Sequence, residues 1–206
     1  MLKKIIDGVL AGIMITIGGS VYLACFGEFK PLGAILFSVA LLCICYKGYS
    51  LFTGKVGLMT QTCTRDGFST LLLGLLGNAL GTVGGGFAVK YALPNLGATA
   101  DVICQAKLTQ SVGQTLIRAI FCGILMYLAV SIYKENKSVT GILFCVPVFI
   151  LAGFEHSIAN MFYFAASGIV SPEAFGYIWL VILGNSVGGL LMPTLSLLGG
   201  RKNGGK

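Results

Sequence analysis

Charge is scarce in this chain: Asp, Glu, Lys and Arg make up 10% of its 206 residues, against 56% for hydrophobic ones. Soluble domains carry roughly 25% charged residues, so lipid rather than water is the solvent for most of this surface. Histidine occurs once and there is no CxxC pair, which removes the ligand sets of zinc and iron–sulfur sites; neither a metal nor a cofactor is expected. Paired carboxylates are missing too. The basic N-terminal start runs into a long apolar stretch with no convincing cleavage site, so this segment is read as a retained first helix. The net charge of +7 is not gathered into one basic, aromatic-interleaved surface, and nucleic acid is not an expected partner.

What is present is length. A membrane helix needs about 20 apolar residues, and six stretches reach it, at roughly 5–25, 32–62, 68–92, 108–133, 139–168 and 175–199. The connections are short, and the whole of 1–206 reads as one transmembrane domain. Most of the 30 glycines lie inside these stretches, where they let helix backbones approach closely. Cys25, Cys43, Cys45, Cys122 and Cys145 lie in or beside them and read as small buried hydrophobes.

Two stretches are too long for one straight span and carry polar residues near the middle: Leu51-Phe52-Thr53-Gly54-Lys55 in the second, and Glu155-His156-Ser157 with Asn160 in the fifth. Non-helical backbone at membrane depth is tolerated only where protein buries it or where it lines a watery path, so both helices are expected to be interrupted. Lysine and arginine mark one side: Lys3 and Lys4; Lys55 and Arg65; Lys134 and Lys137; Arg201, Lys202 and Lys206. The other side carries Glu28 with Lys30, Asp101 with Lys107, and Glu173. The positive-inside rule then puts both termini in the cytoplasm of a multi-pass protein of the cell membrane. Gly77-Asn78-Ala79-Leu80-Gly81 also echoes Gly184-Asn185-Ser186-Val187-Gly188. With three spans per half, such a repeat is inverted, with its substrate site near the midplane at the broken helices.

These residues resemble a known family. The ten residues from Gly153 to Phe162 (GFEHSIANMF) resemble the fifth-helix signature of formate/nitrite transporters, and Leu51-Phe52-Thr53-Gly54 their second-helix loop motif. Support comes from Leu183-Gly184-Asn185, from Gly123-Ile124-Leu125 with Leu128-Ala129-Val130, and from Gly77-Asn78. The resemblance implies a homopentamer of aquaporin-like six-helix protomers in an inverted 3+3 repeat. Each protomer would have its own pore for formate, nitrite, hydrosulfide or lactate, with a central chamber between apolar constrictions. Counting from the motifs, it puts Phe37, Leu41 and Phe149 at constrictions, with Leu51 and Phe52 contributing from the loop. By its Ala-Lys context Lys107 takes the place of the family's vestibule lysine, although a gap-free count gives Ser111. The sequence departs from the pattern at Lys55, commonly neutral in the family, and near Tyr127, where an asparagine is replaced.

A naked anion meets a desolvation cost of order 20 kcal/mol in an apolar constriction, whereas protonating a weak acid costs only about 1.4 kcal/mol per pH unit. Formate is therefore expected to cross as formic acid. His156 is the side chain whose ordinary pKa lies near neutrality, and Thr53 and Asn185 can donate hydrogen bonds to carboxylate-like oxygens. Glu155 is expected to satisfy backbone groups of the broken helix. Arg118, an intramembrane charge, is a candidate for function or for pairing at a protomer interface. The competing readings are a nitrite or hydrosulfide channel, a neutral-solute channel, and a membrane-embedded enzyme using Ser157.

Overall fold

The structure, a computed structural model, describes residues 1–60 and 64–200. The end of the second expected stretch and the basic tail of Arg201, Lys202 and Lys206 lie outside the described residues. In chain order the elements are α1 (Leu2–Ala24), α2 (Lys30–Lys47), α3 (Phe52–Lys55), a 3-10 turn (Val56–Thr60), α4 (Arg65–Ala92), α5 (Pro94–Leu108), α6 (Val112–Asn136), α7 (Thr140–Leu151), α8 (Ser157–Ser167) and α9 (Pro172–Leu198). All are helical, and no strand occurs among the described residues.

Helices begin where polar side chains can take the free backbone N–H groups. Thr64 accepts from Gly67 N at α4, Ser171 accepts from Ala174 N ahead of Pro172 at α9, and Ser111 and Gln114 form a reciprocal capping box at α6. Five helices, α1, α2, α4, α6 and α9, are long and apolar enough to cross a membrane. The fifth expected stretch is instead divided between α7 and α8, each shorter than a span, and the second between α2 and α3.

One element was not expected. Residues 93–107 were read as a short connection, but nearly all of them belong to α5, a 15-residue helix started by Pro94. Its Gly, Ala, Thr, Asp and Gln residues dilute any apolar signal, and it is held by packing against α8. This helix sets Lys107 in its last turn.

The packing is the reverse of a soluble protein. Leu80 and Phe144 face outward, at 56% and 71% exposure, while Thr53, Asn78, Thr82, Asn160 and Asn185 are buried. Polar groups inside and apolar ones outside suit a bilayer, where a buried partner is the only alternative to an unpaired polar group. Two close crossings hold the frame, α1 on α4 and α6 on α9. At the second, a Cβ on Gly188 would run into the Ile120 carbonyl oxygen, so this glycine is required for the approach. α8 is enclosed by its neighbours, buried from Ser157 through Ala166.

Candidate functional site

The site is built at two breaks that follow one hydrogen-bonding plan. α2 stops at Gly48 and α7 is followed by Gly153, both in the left-handed region with φ of 73° and 72°, a conformation that favours glycine. After each glycine the next amide reaches back five residues, Tyr49 N to Ile44 O at 3.0 Å and Phe154 N to Phe149 O at 2.9 Å. Ser50 N then donates to Asp7 O, and Glu155 N to Arg118 O.

An asparagine closes each break. Asn78 Nδ2 donates to Gly8 O at 2.9 Å and Ser50 O at 2.7 Å, and its Oδ1 accepts from Phe52 N at 2.9 Å. Asn185 Nδ2 donates to Ala119 O and Glu155 O, and its Oδ1 accepts from Ser157 N, each at 2.8 Å. Both amide hydrogens of Asn185 are thus committed to carbonyls, and the residue is fully buried. The expected ligand role for Asn185 gives way to a framework role, because no N–H remains for an anion.

His156 and Thr53 do come together, 103 residues apart in sequence. His156 Nε2 lies 2.8 Å from Thr53 Oγ1, and His156 Nδ1 accepts the N–H of Ala159 at 3.1 Å as the N-cap of α8. A nitrogen that accepts carries no hydrogen, so the neutral ring holds its proton on Nε2 and donates it to Thr53. A second proton on Nδ1 would point at the Ala159 N–H and break the cap. Phe149 stacks on the imidazole at 5.5 Å between centroids and 20° between planes, and Phe37 packs edge-on to Phe149.

Two cavities lie at opposite ends of α2. The first, of about 300 Å³, is lined by His156, Phe149, Lys30, Lys107, Glu155 and Arg118 among others. The second, of about 240 Å³, is lined by Leu41, Leu51, Gly54, Lys55 and Lys134 among others. They share no lining residue. Phe149 therefore bounds the first cavity, and Leu41 and Leu51 the second. Phe37 and Phe52 line neither cavity; Phe37 backs Phe149, and the Phe52 amide is held by Asn78.

Lys107 lines the first cavity, while Ser111 caps α6. Lys107 Nζ forms an ion pair with Glu155 Oε2, and that carboxylate also accepts from Gln110 Nε2 at 2.9 Å and Asn160 Nδ2 at 3.0 Å. Glu155 was expected to serve the broken backbone; its carboxylate instead faces other side chains, and only its main chain takes part in the break. Gln110 escaped sequence reasoning, since nothing local marks a residue that meets its partner 45 positions away. Asn160 carried a signal, an amide inside the longest motif. Ser157 Oγ is buried without a hydrogen bond among the described residues and lines neither cavity.

The chain is similar to known transport proteins in sequence and in fold. The family model described as Formate/nitrite transporter matches residues 1–198. The transporter YwcJ of Bacillus subtilis (strain 168) is 30% identical over 93% of this chain and 85% of its own length. A formate-nitrite transporter of Plasmodium knowlesi (strain H) is 27% identical over 92% of this chain and 72% of its own. Among solved structures, an FNT family ion channel superposes with a TM-score of 0.82 at 22% identity, covering 98% of this chain and 91% of that one. A pentameric formate channel with formate bound gives a TM-score of 0.75 at 23% identity, covering 96% of both chains. With its several membrane-spanning helices, this chain is a multi-pass membrane protein that belongs to the formate/nitrite transporter family.

Proposed function

We propose that the protein passes a small monovalent weak-acid anion, formate foremost, through each protomer together with a proton. The observation that carries this reading is the His156–Thr53 hydrogen bond, lying between two cavities that both contain lysine. An anion is drawn to the cationic first cavity, takes a proton from solvent hydronium there, crosses the barrier of Phe149, Leu41 and Leu51 as the neutral acid, and returns the proton to water on the far side. His156 and Thr53 offer it hydrogen bonds midway. The proton comes from solvent rather than from a doubly protonated His156, because Nδ1 is held as an acceptor. The neutral form avoids the desolvation cost of order 20 kcal/mol.

The wider frame of this proposal is a single domain of six spans in an inverted 3+3 repeat, aquaporin-like, with α2–α3 and α7–α8 as interrupted second and fifth spans. The duplicated hydrogen bonds around Asn78 and Asn185 support it. Assembly as a homopentamer is supported by the fold shared with a pentameric formate channel. The distribution of lysine and arginine supports a cell-membrane location with both termini cytoplasmic.

Uptake by reconstituted vesicles tests the reading. Formate flux should rise about tenfold for each unit fall in external pH, as the protonated fraction of a weak acid does above its pKa. Flux indifferent to pH and to solute charge would make this a neutral-solute channel. Failure to move formate, nitrite, hydrosulfide or lactate would end the proposal.

A further inference from the structure

We propose that Arg118 is the anion-recognising residue of the first cavity, and that it favours planar oxyanions such as formate and nitrite over hydrosulfide. The inference rests on the transport reading above and names the residue that reads the anion's shape.

Three cationic side chains line that cavity, Lys30, Lys107 and Arg118, together with one carboxylate, Glu155. They are not equivalent. Lys107 is ion-paired with Glu155, so their charges cancel locally, and the carboxylate is further occupied by Gln110 and Asn160. An approaching anion must compete with an installed carboxylate to reach Lys107. Arg118 has no such competitor: the ion pairs among the described residues are Lys4–Asp66 and Lys107–Glu155, and no hydrogen bond to its guanidinium is found there.

The backbone fixes where Arg118 stands. Its carbonyl accepts from Glu155 N, the residue next to His156, so the arginine is tied to the break from which the imidazole projects. Its neighbours Ile117 and Phe121 face outward, at 57% and 48% exposure, whereas Arg118 is half-buried and reaches the cavity. A cation within a spanning helix is costly unless it meets a partner or a wet path. Here the cavity is present, and no ion pair of Arg118 is found among the described residues.

The guanidinium adds geometry to charge. Its planar fork of N–H donors matches two oxygens held on one atom, as in a carboxylate or nitrite, and forms two parallel hydrogen bonds. Hydrosulfide has one acceptor atom and can take only one branch. Lys30, also without an ion pair among the described residues, supplies charge at the cavity, but an ammonium does not discriminate by shape.

The test uses the full chain in phosphatidylcholine vesicles, comparing formate, nitrite and hydrosulfide flux above empty-vesicle background. Arg118→Lys should cut formate and nitrite flux about tenfold, the ratio carried by one charge-assisted hydrogen bond, and change hydrosulfide flux less than twofold. Arg118→Gln should lower all three. An Arg118→Lys protein that treats the three anions as the wild type does, or slows all three alike, overturns the inference while leaving transport intact. A wild type that moves none of them overturns the transport reading instead. A second measurement needs no variant: phenylglyoxal modification of wild-type Arg118, followed by peptide mass spectrometry, should be slowed by formate and not by equal chloride. Equal rates in the two salts would also defeat the proposal.

Discussion

The break after Gly48 and the break after Gly153 share a framework and differ in chemistry. Each has a left-handed glycine, an amide reaching back five residues, and an asparagine amide binding two carbonyls and one N–H. In register, Asp7 and Gly8 answer Arg118 and Ala119, Ser50 answers Glu155, Leu51 answers His156, and Lys55 answers Asn160. One break therefore presents an apolar Leu51 to its cavity, while the other presents a carboxylate and an imidazole. The difference separates two demands. Holding a broken helix open inside the protein needs only the asparagine and the glycine, leaving the positions between them free to carry the function.

The comparison is broken most severely at its hinges. Asn185→Leu and Asn78→Leu each strip partners from one N–H and two carbonyls, and at about 1–3 kcal/mol for each buried group left unpaired both variants should lose several kcal/mol. Thermal unfolding in detergent measures this, and a large loss in one variant alone would show that the two breaks are not equivalent. Next comes the ion pair that only one break has. Lys107→Gln leaves Glu155 charged without its counter-ion and should cost about 3 kcal/mol, as breaking a buried pair does. The double variant Lys107→Gln with Glu155→Gln should be more stable than the single one; equal or lower stability would refute the pairing.

The chemistry itself is tested by making the second break resemble the first. His156→Leu gives it the residue that the first break has, removing both the helix cap and the bond to Thr53. Formate flux should fall by about 100-fold, the equivalent of roughly 2.7 kcal/mol, with less loss of stability than Asn185→Leu. Flux within twofold of wild type would remove His156 from the pathway. The smallest effect is expected at the one cation that replaces an amide in this register: Lys55→Asn should change flux by no more than about threefold, the scale of a half-exposed charge. It should also weaken any salt dependence of the second cavity's uptake, since that lysine lines it.

Much of the fold could be read along the chain because a bilayer imposes a local rule. Four of the expected stretches correspond to single helices of spanning length, and the second and fifth, which carry polar residues near the middle, are each divided between two helices. α5 was missed because its short run of small and polar residues is made helical by packing against α8 rather than by its own pattern. At the site, motifs named His156, Thr53, Lys107 and Asn185; the structure brings His156 to Thr53 and Lys107 to the first cavity, and commits both amide hydrogens of Asn185 to carbonyls. The role turned on which backbone carbonyls surround its amide, a fact set by the crossing of α6 and α9.

The sequence by itself determined the solvent, the approximate spans and the places where helices break, because each follows from the polarity of neighbouring residues in a medium without water. Only the tertiary structure decided that His156 donates to Thr53, that Lys107 is neutralised by Glu155, and that Arg118 lines the same cavity with no ion pair among the described residues. These are meetings between residues tens of positions apart, and their hydrogen bonds and charges acquire meaning only when the helices pack.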